Sequence, residues 1–191
     1  MKMKSLLVVA AAVIGGSAFA GEFVWNGAGS DSNWTTPQNW GKTSAGDYPK
    51  TGEDIAVFNG TAGVTLDTGT DTTISYLKVT AGTVTIDGTT GSTLNCTKAA
   101  AGDASGLVVT SGATLIVKVP MPFTARMDKW GTGTLIVRDA AVTKSDAAAW
   151  YLAHGTNIFD GTASVSFPYA TICFGNGTPY DYMPVFIRDS A

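Results

Sequence analysis

One phrase recurs along the middle of this chain and limits what it can fold into. Thr80-Ala81-Gly82-Thr83-Val84-Thr85-Ile86, Ser111-Gly112-Ala113-Thr114-Leu115-Ile116-Val117 and Gly131-Thr132-Gly133-Thr134-Leu135-Ile136-Val137 follow one template. A small residue and a glycine precede a second small residue and a short apolar run. Similar runs stand at Ile55-Ala56-Val57-Phe58, Val64-Thr65-Leu66, residues 74–79 and Leu107-Val108-Val109. Each is bounded by Gly, Asp, Asn or Ser, which favour tight turns. Val64, Leu66, Val84 and Ile86 fall on one side of their runs, and Thr65, Thr83 and Thr85 on the other. That period of two marks strands with one buried face. Threonine on the outer face keeps strand propensity without adding much apolar surface.

Two all-β arrangements suit many short strands. An antiparallel β-sandwich needs hairpins, and Asn59-Gly60 and Asp87-Gly88 fit two-residue hairpin turns. A parallel β-solenoid needs a compact corner before each inward strand, and the repeated small-Gly-small phrase supplies one. The solenoid fits the middle of the chain better.

The ends read differently. Met1 to Lys4 is basic, Ser5 to Ile14 almost wholly apolar, and Ala18-Phe19-Ala20 an A-x-A cleavage site. Residues 1–20 are therefore expected to be a secretory signal peptide, cut before Gly21. The apolar run is too short for the roughly 20 residues of a membrane span. Residues 21–191 are then one β-solenoid domain, secreted or held at the cell surface. Ser145-Asp146 followed by Ala147-Ala148-Ala149-Trp150-Tyr151-Leu152, with Gly155 as a stop, predicts one short helix or turn. Pro168, Pro179 and Pro184 mark edge strands near the C-terminus. Export would allow Cys96 and Cys173 to form a disulfide; two buried thiols are the equal alternative.

The N-terminal region carries a more specific signal. It reads Phe23-Val24-Trp25-Asn26-Gly27, Asn33-Trp34, Gln38-Asn39-Trp40, Tyr48-Pro49 and Gly52-Glu53-Asp54-Ile55-Ala56-Val57-Phe58. This order resembles the N-terminal region of bacterial autotransporter-type surface proteins with passenger-associated β-strand repeats. Lys129-Trp130-Gly131-Thr132-Gly133-Thr134-Leu135-Ile136-Val137 is similar to the K-x-G-x-G-T-L core of that repeat. The resemblance implies a right-handed parallel β-helix displayed at or beyond the cell envelope. It departs from the pattern after Val137, where a Gly-rich Asn-Thr-Tyr phrase is expected and Arg138 to Lys144 follows.

The chain offers little for catalysis. Trp25, Trp34 and Trp40 are expected to cap the open end of the solenoid; the alternative is a platform for stacking sugars. Asp47, Glu53 and Asp54 are close in sequence, and Asp67, Asp71 and Asp87 fall in turns. Paired carboxylates can cut glycosidic bonds and oxygen clusters can hold Ca²⁺, but turn aspartates ordinarily bond their own backbone. The lone histidine, His154, lacks a Gly-x-Ser-x-Gly partner motif and reads as structural. Asn33-Trp34-Thr35, Asn59-Gly60-Thr61, Asn95-Cys96-Thr97 and Asn176-Gly177-Thr178 match a glycosylation pattern that a Thr-rich chain produces by chance. With 12 Lys+Arg against 15 Asp+Glu, the net charge is −3, which disfavours nucleic-acid binding. The expectation is a non-enzymatic structural or adhesive protein with no cofactor, whose partners are an extracellular glycan or further copies of itself. A carbohydrate-binding module is the alternative, and a polysaccharide-degrading enzyme the least favoured reading.

Overall fold

The computed structural model describes residues 21–67, 69–97, 105–123, 126–144, 150–152, 154–166, 172–174 and 185–187. The expected signal peptide, Pro168, Pro179, Pro184 and Asn176 lie outside them. Short strand β1 (Glu22–Val24) leads through a 3-10 helix at Pro37–Trp40 into a regular stack. The first turn is β2 (Ile55–Phe58), β3 (Ala62–Leu66) and β4 (Asp71–Ile74). The next is β5 (Tyr76–Val79), β6 (Thr83–Gly88) and β7 (Thr93–Cys96). Then come β8 (Ser105–Val109), β9 (Thr114–Val117) and β10 (Met121–Phe123), followed by β11 (Met127–Trp130), β12 (Thr134–Arg138) and β13 (Ala141–Lys144). After β14 (Trp150–Leu152), β15 (Thr156–Asp160) and β16 (Ser164–Ser166), the stack continues with β17 (Ile172–Phe174) and β18 (Val185–Ile187).

Among the described residues, strands of successive turns pair only in parallel, which makes a β-solenoid with three faces. The first face runs β1-β2-β5-β8-β11-β14-β17, and the second β3-β6-β9-β12-β15-β18. The third holds the pair β4-β7 and the trio β10-β13-β16, joined where the Leu94 N–H donates to the Pro120 carbonyl at 2.9 Å. Register sets the pitch. Ile55 lies opposite Tyr76 and Leu135 opposite Asn157, advances of 21 and 22 residues, while between the second and third turns Tyr76 lies opposite Gly106, an advance of 30. The hairpin alternative fails at its own turns. Asn59-Gly60 is a corner between β2 and β3, which belong to different faces, and Asp87-Gly88 ends β6.

The parallel register puts like residues over like. Inside the second face, Val64, Ile86, Val117, Val137 and Phe159 form one column. Inside the first, Ala56, Leu77, Leu107, Lys129 and Leu152 form another, and each is fully buried. Burying one such aliphatic side chain contributes about 1.5–3 kcal/mol, and each turn adds several. The outside of the second face carries matching ladders. Thr83, Thr114, Thr134 and Thr156 stack in register, as do Ile116, Ile136 and Ile158. Thus the outer-face reading of Thr65, Thr83 and Thr85 holds, although Thr72 points inward and is buried.

One element differs from the sequence reading. The segment expected as a short helix ends in β14: Trp150-Tyr151-Leu152 is a strand that pairs with β11, Met127 opposite Trp150. Residues 145–149 lie outside the described residues. At 150–152 strand pairing prevails over local helix preference, because it continues a sheet whose inward positions already lie ready.

Candidate functional site

The N-terminal segment closes the top of the stack. Strand β1 pairs with β2, Phe23 opposite Ala56. Residues 32–34 extend the second face: Thr65 N–H donates to the Ser32 carbonyl and Trp34 N–H to the Thr65 carbonyl, both at 2.9 Å. Two open strand edges are thereby satisfied. Asn39, fully buried, ties this loop together. Its amide donates to the Asp31 and Asn33 carbonyls, and its Oδ1 accepts from Gly29 N–H.

The rings sit on that frame. Trp34 and Trp40 are buried and pack against Phe58 of the first turn, with centroids 6.3 and 5.6 Å away. Trp34 Nε1 donates to the Pro49 carbonyl and Trp40 Nε1 to the Trp34 carbonyl, both at 2.7 Å. Trp25 lies 5.0 Å from Trp40 and 5.7 Å from Phe58, but it is only half-buried. Its rim opens on a cleft of about 390 Å³ lined by Asn26, Gly27, Phe58, Asn59, Gly60 and Thr61. The sequence brings the three tryptophans to one place; the structure leaves one of them accessible.

Of the carboxylates singled out above, Asp54, Asp67, Asp71 and Asp87 are employed in turns and ladders. Asp54 Oδ2 accepts from the N–H groups of Lys50 and Thr51, at 2.9 and 2.8 Å. The hydroxyls of Thr35 and Thr93 donate to Asp67 and Asp71. Lys118 meets Asp87 at 2.6 Å, and that hydrogen bond holds the Asp87 carboxyl below its ordinary pKa. Arg138 meets Asp160 at 2.8 Å one ladder position further along. The Asn33 N–H lowers the Asp31 carboxyl in the same way. Among the described residues no group of three His, Cys, Asp or Glu side chains gathers as a metal would require.

The cysteines stand apart in the stack. Cys96 ends β7 opposite Ile74, fully buried, as a free thiol that burial pushes up to about 12. Cys173 is opposite Tyr151 in β17. His154 lies beside Trp130, with ring centroids 5.3 Å apart.

Sequence reading missed the most unusual group. Lys129 occupies an inward position in a column of leucines and is 0 % exposed. Its Nζ turns along the corner and donates to the carbonyls of Gly131, Gly133 and His154, each at 2.7 Å. Three acceptors match the three donors of an ammonium. This gives the Lys-x-Gly-x-Gly phrase a physical meaning: the lysine satisfies corner carbonyls that the glycines turn toward the core. The available signal was the spacing Met127-x-Lys129, which puts a charge where the alternation demands an apolar residue. Its neighbour Asp128 is also buried; a two-pronged pair with Arg126, at 2.9 and 3.0 Å, offsets its charge, and Arg126 lies over the Tyr151 ring at 4.2 Å.

Burial lowers the Lys129 pKa to about 8 from 10.5. Between those values the unfolded chain binds more protons than the folded one. Folding stability must therefore rise with pH across that window, with a slope of up to about 1.4 kcal/mol per pH unit. Urea titrations from pH 7 to 11 check this. The rise should vanish in Lys129→Met, and persistence of the same rise in that variant would assign it to another group.

Comparison with protein-family models, curated proteins and solved structures returned no match. The stack is compatible with a β-helix passenger, and no matched family adds an autotransporter origin to that. Among the described residues no helix is long and apolar enough to cross a membrane.

Proposed function

We propose that this chain is a secreted or surface-displayed, non-enzymatic β-solenoid of the autotransporter-passenger type, serving a structural or adhesive role. The observation that supports it best is the fate of its carboxylates. Asp54, Asp67, Asp71, Asp87, Asp128 and Asp160 are drawn into turn, ladder and ion-pair contacts. A glycosidase-like pair needs two carboxyl groups facing one another across a substrate. A stiff column of parallel strands with one capped end instead suits holding its faces and corners away from a surface.

The N-terminal sequence supplies the export half of the reading. Expression of the full chain in a Gram-negative host, followed by fractionation and N-terminal sequencing, tests it. The expected product starts at Gly21 and is recovered from the envelope or medium. The same material should leave a panel of neutral and uronic-acid polysaccharides intact. An intact Met1 in the cytoplasm would refute export, and turnover lost in Asp54→Asn would refute the non-enzymatic role.

A further inference from the structure

We infer that the cleft beside Trp25 is a binding site for a neutral saccharide. The inference is independent of the structural role proposed above and goes beyond it.

The cleft has a physical origin in the stacking. Below the first turn, each corner between the first and second faces lies beneath the corner of the turn before it. At Gly82, for example, an added Cβ would come within 2.6 Å of Thr61 N and 2.7 Å of Gly60 C. The first turn has no earlier corner above Asn59-Gly60-Thr61. The cap passes near it as Trp25-Asn26-Gly27, and the space between the two segments is the cleft.

Its lining specifies a chemistry. Trp25 forms the accessible aromatic part, with the buried Phe58 beneath it, and Asn26, Asn59 and Thr61 the polar part. Among the described residues no charged side chain lines it, so an ionic ligand would find no counter-charge there. Trp34 and Trp40 spend their indole N–H groups on carbonyls. Trp25 Nε1 makes no such bond among the described residues, and it stands 3.3 Å from where a Cβ on Gly27 would lie. An aromatic rim with a free indole donor, beside amide and hydroxyl side chains, matches a sugar's apolar C–H face and its ring of hydroxyls. The volume of about 390 Å³ lies at the small end of ligand sites, the size for one or two sugar units.

Gly60 provides a clean block. A Cβ there would meet nothing within 4 Å, and its φ lies outside the left-handed region. Gly60→Leu should therefore leave the stack folded while filling the cleft. The experiment follows the Trp25 indole N–H resonance, assigned with Trp25→Phe, during titration with cellotriose, maltotriose, chitotriose and 3′-sialyllactose. At least one neutral trisaccharide should shift that resonance saturably at millimolar concentration. Affinity should fall at least about tenfold in Gly60→Leu, read from the same resonance, and in Trp25→Phe, read by titration calorimetry, with both variants keeping the parent far-ultraviolet circular dichroism spectrum. No response to any neutral sugar would overturn the inference. So would binding that survives Gly60→Leu, or a response confined to the sialylated sugar.

Discussion

Gly131→Ala should destabilise the protein by about 3–5 kcal/mol, while Gly112→Ala, the same change one corner earlier, should cost only about 1–2 kcal/mol. Both glycines hold left-handed backbone, with φ of 80° and 76°. Any L-residue there meets the same intrinsic penalty. The difference lies in stacking. A Cβ on Gly112 meets nothing within 4 Å, whereas one on Gly131 runs into the carbonyl oxygen of Val109 in the turn above. That oxygen cannot retreat, because it accepts the Gly133 N–H at 2.9 Å. Urea unfolding of the two variants beside the parent measures the gap. Equal losses would mean that the corners are not stacked as described.

Trp34→Ala should be comparably severe, about 3–5 kcal/mol. The ring is fully buried between Trp40 and Phe58, and its loss also strips the Pro49 carbonyl of its donor. The damage should begin at the top of the stack. Native-state hydrogen exchange should show amides of β2 and β3 losing protection well before those of β12 and β15. Trp25→Ala should cost clearly less, since that ring is half-buried and makes no such bond. A uniform loss of protection along the whole stack after Trp34→Ala would deny the aromatic cluster its role as a cap.

These contrasts show what the sequence made legible and what it hid. The alternation at 64–66 and 83–86 revealed which residues point inward, because a strand's side-chain period is fixed by its backbone. The small-Gly-small phrases revealed the corners, since glycine takes the left-handed turn of Gly82, Gly112 and Gly131 without strain. The helix expected at 145–152 came from local propensity in an alanine run, and at 150–152 pairing with β11 prevailed. Lys129 escaped notice because its partners are backbone carbonyls, which leave no trace in residue type. The cleft at Trp25 was hidden for another reason. Three tryptophans of similar spacing differ only in what covers them, and that depends on where the chain from 41 to 54 passes. Trp34 finds the Pro49 carbonyl there, and Trp25 finds no equivalent.

The central claim is parallel stacking in one fixed register, and interstrand nuclear Overhauser contacts test it most directly. Parallel pairing predicts backbone contacts between Leu115 and Leu135, Ile116 and Ile136, and Val117 and Val137, at a constant offset in residue number. The same pattern should link Val84 to Leu115 and Leu135 to Asn157. Contacts in which one partner's number falls as the other's rises, joining 64–66 to 83–86 as a hairpin, would contradict the solenoid and restore the antiparallel sandwich.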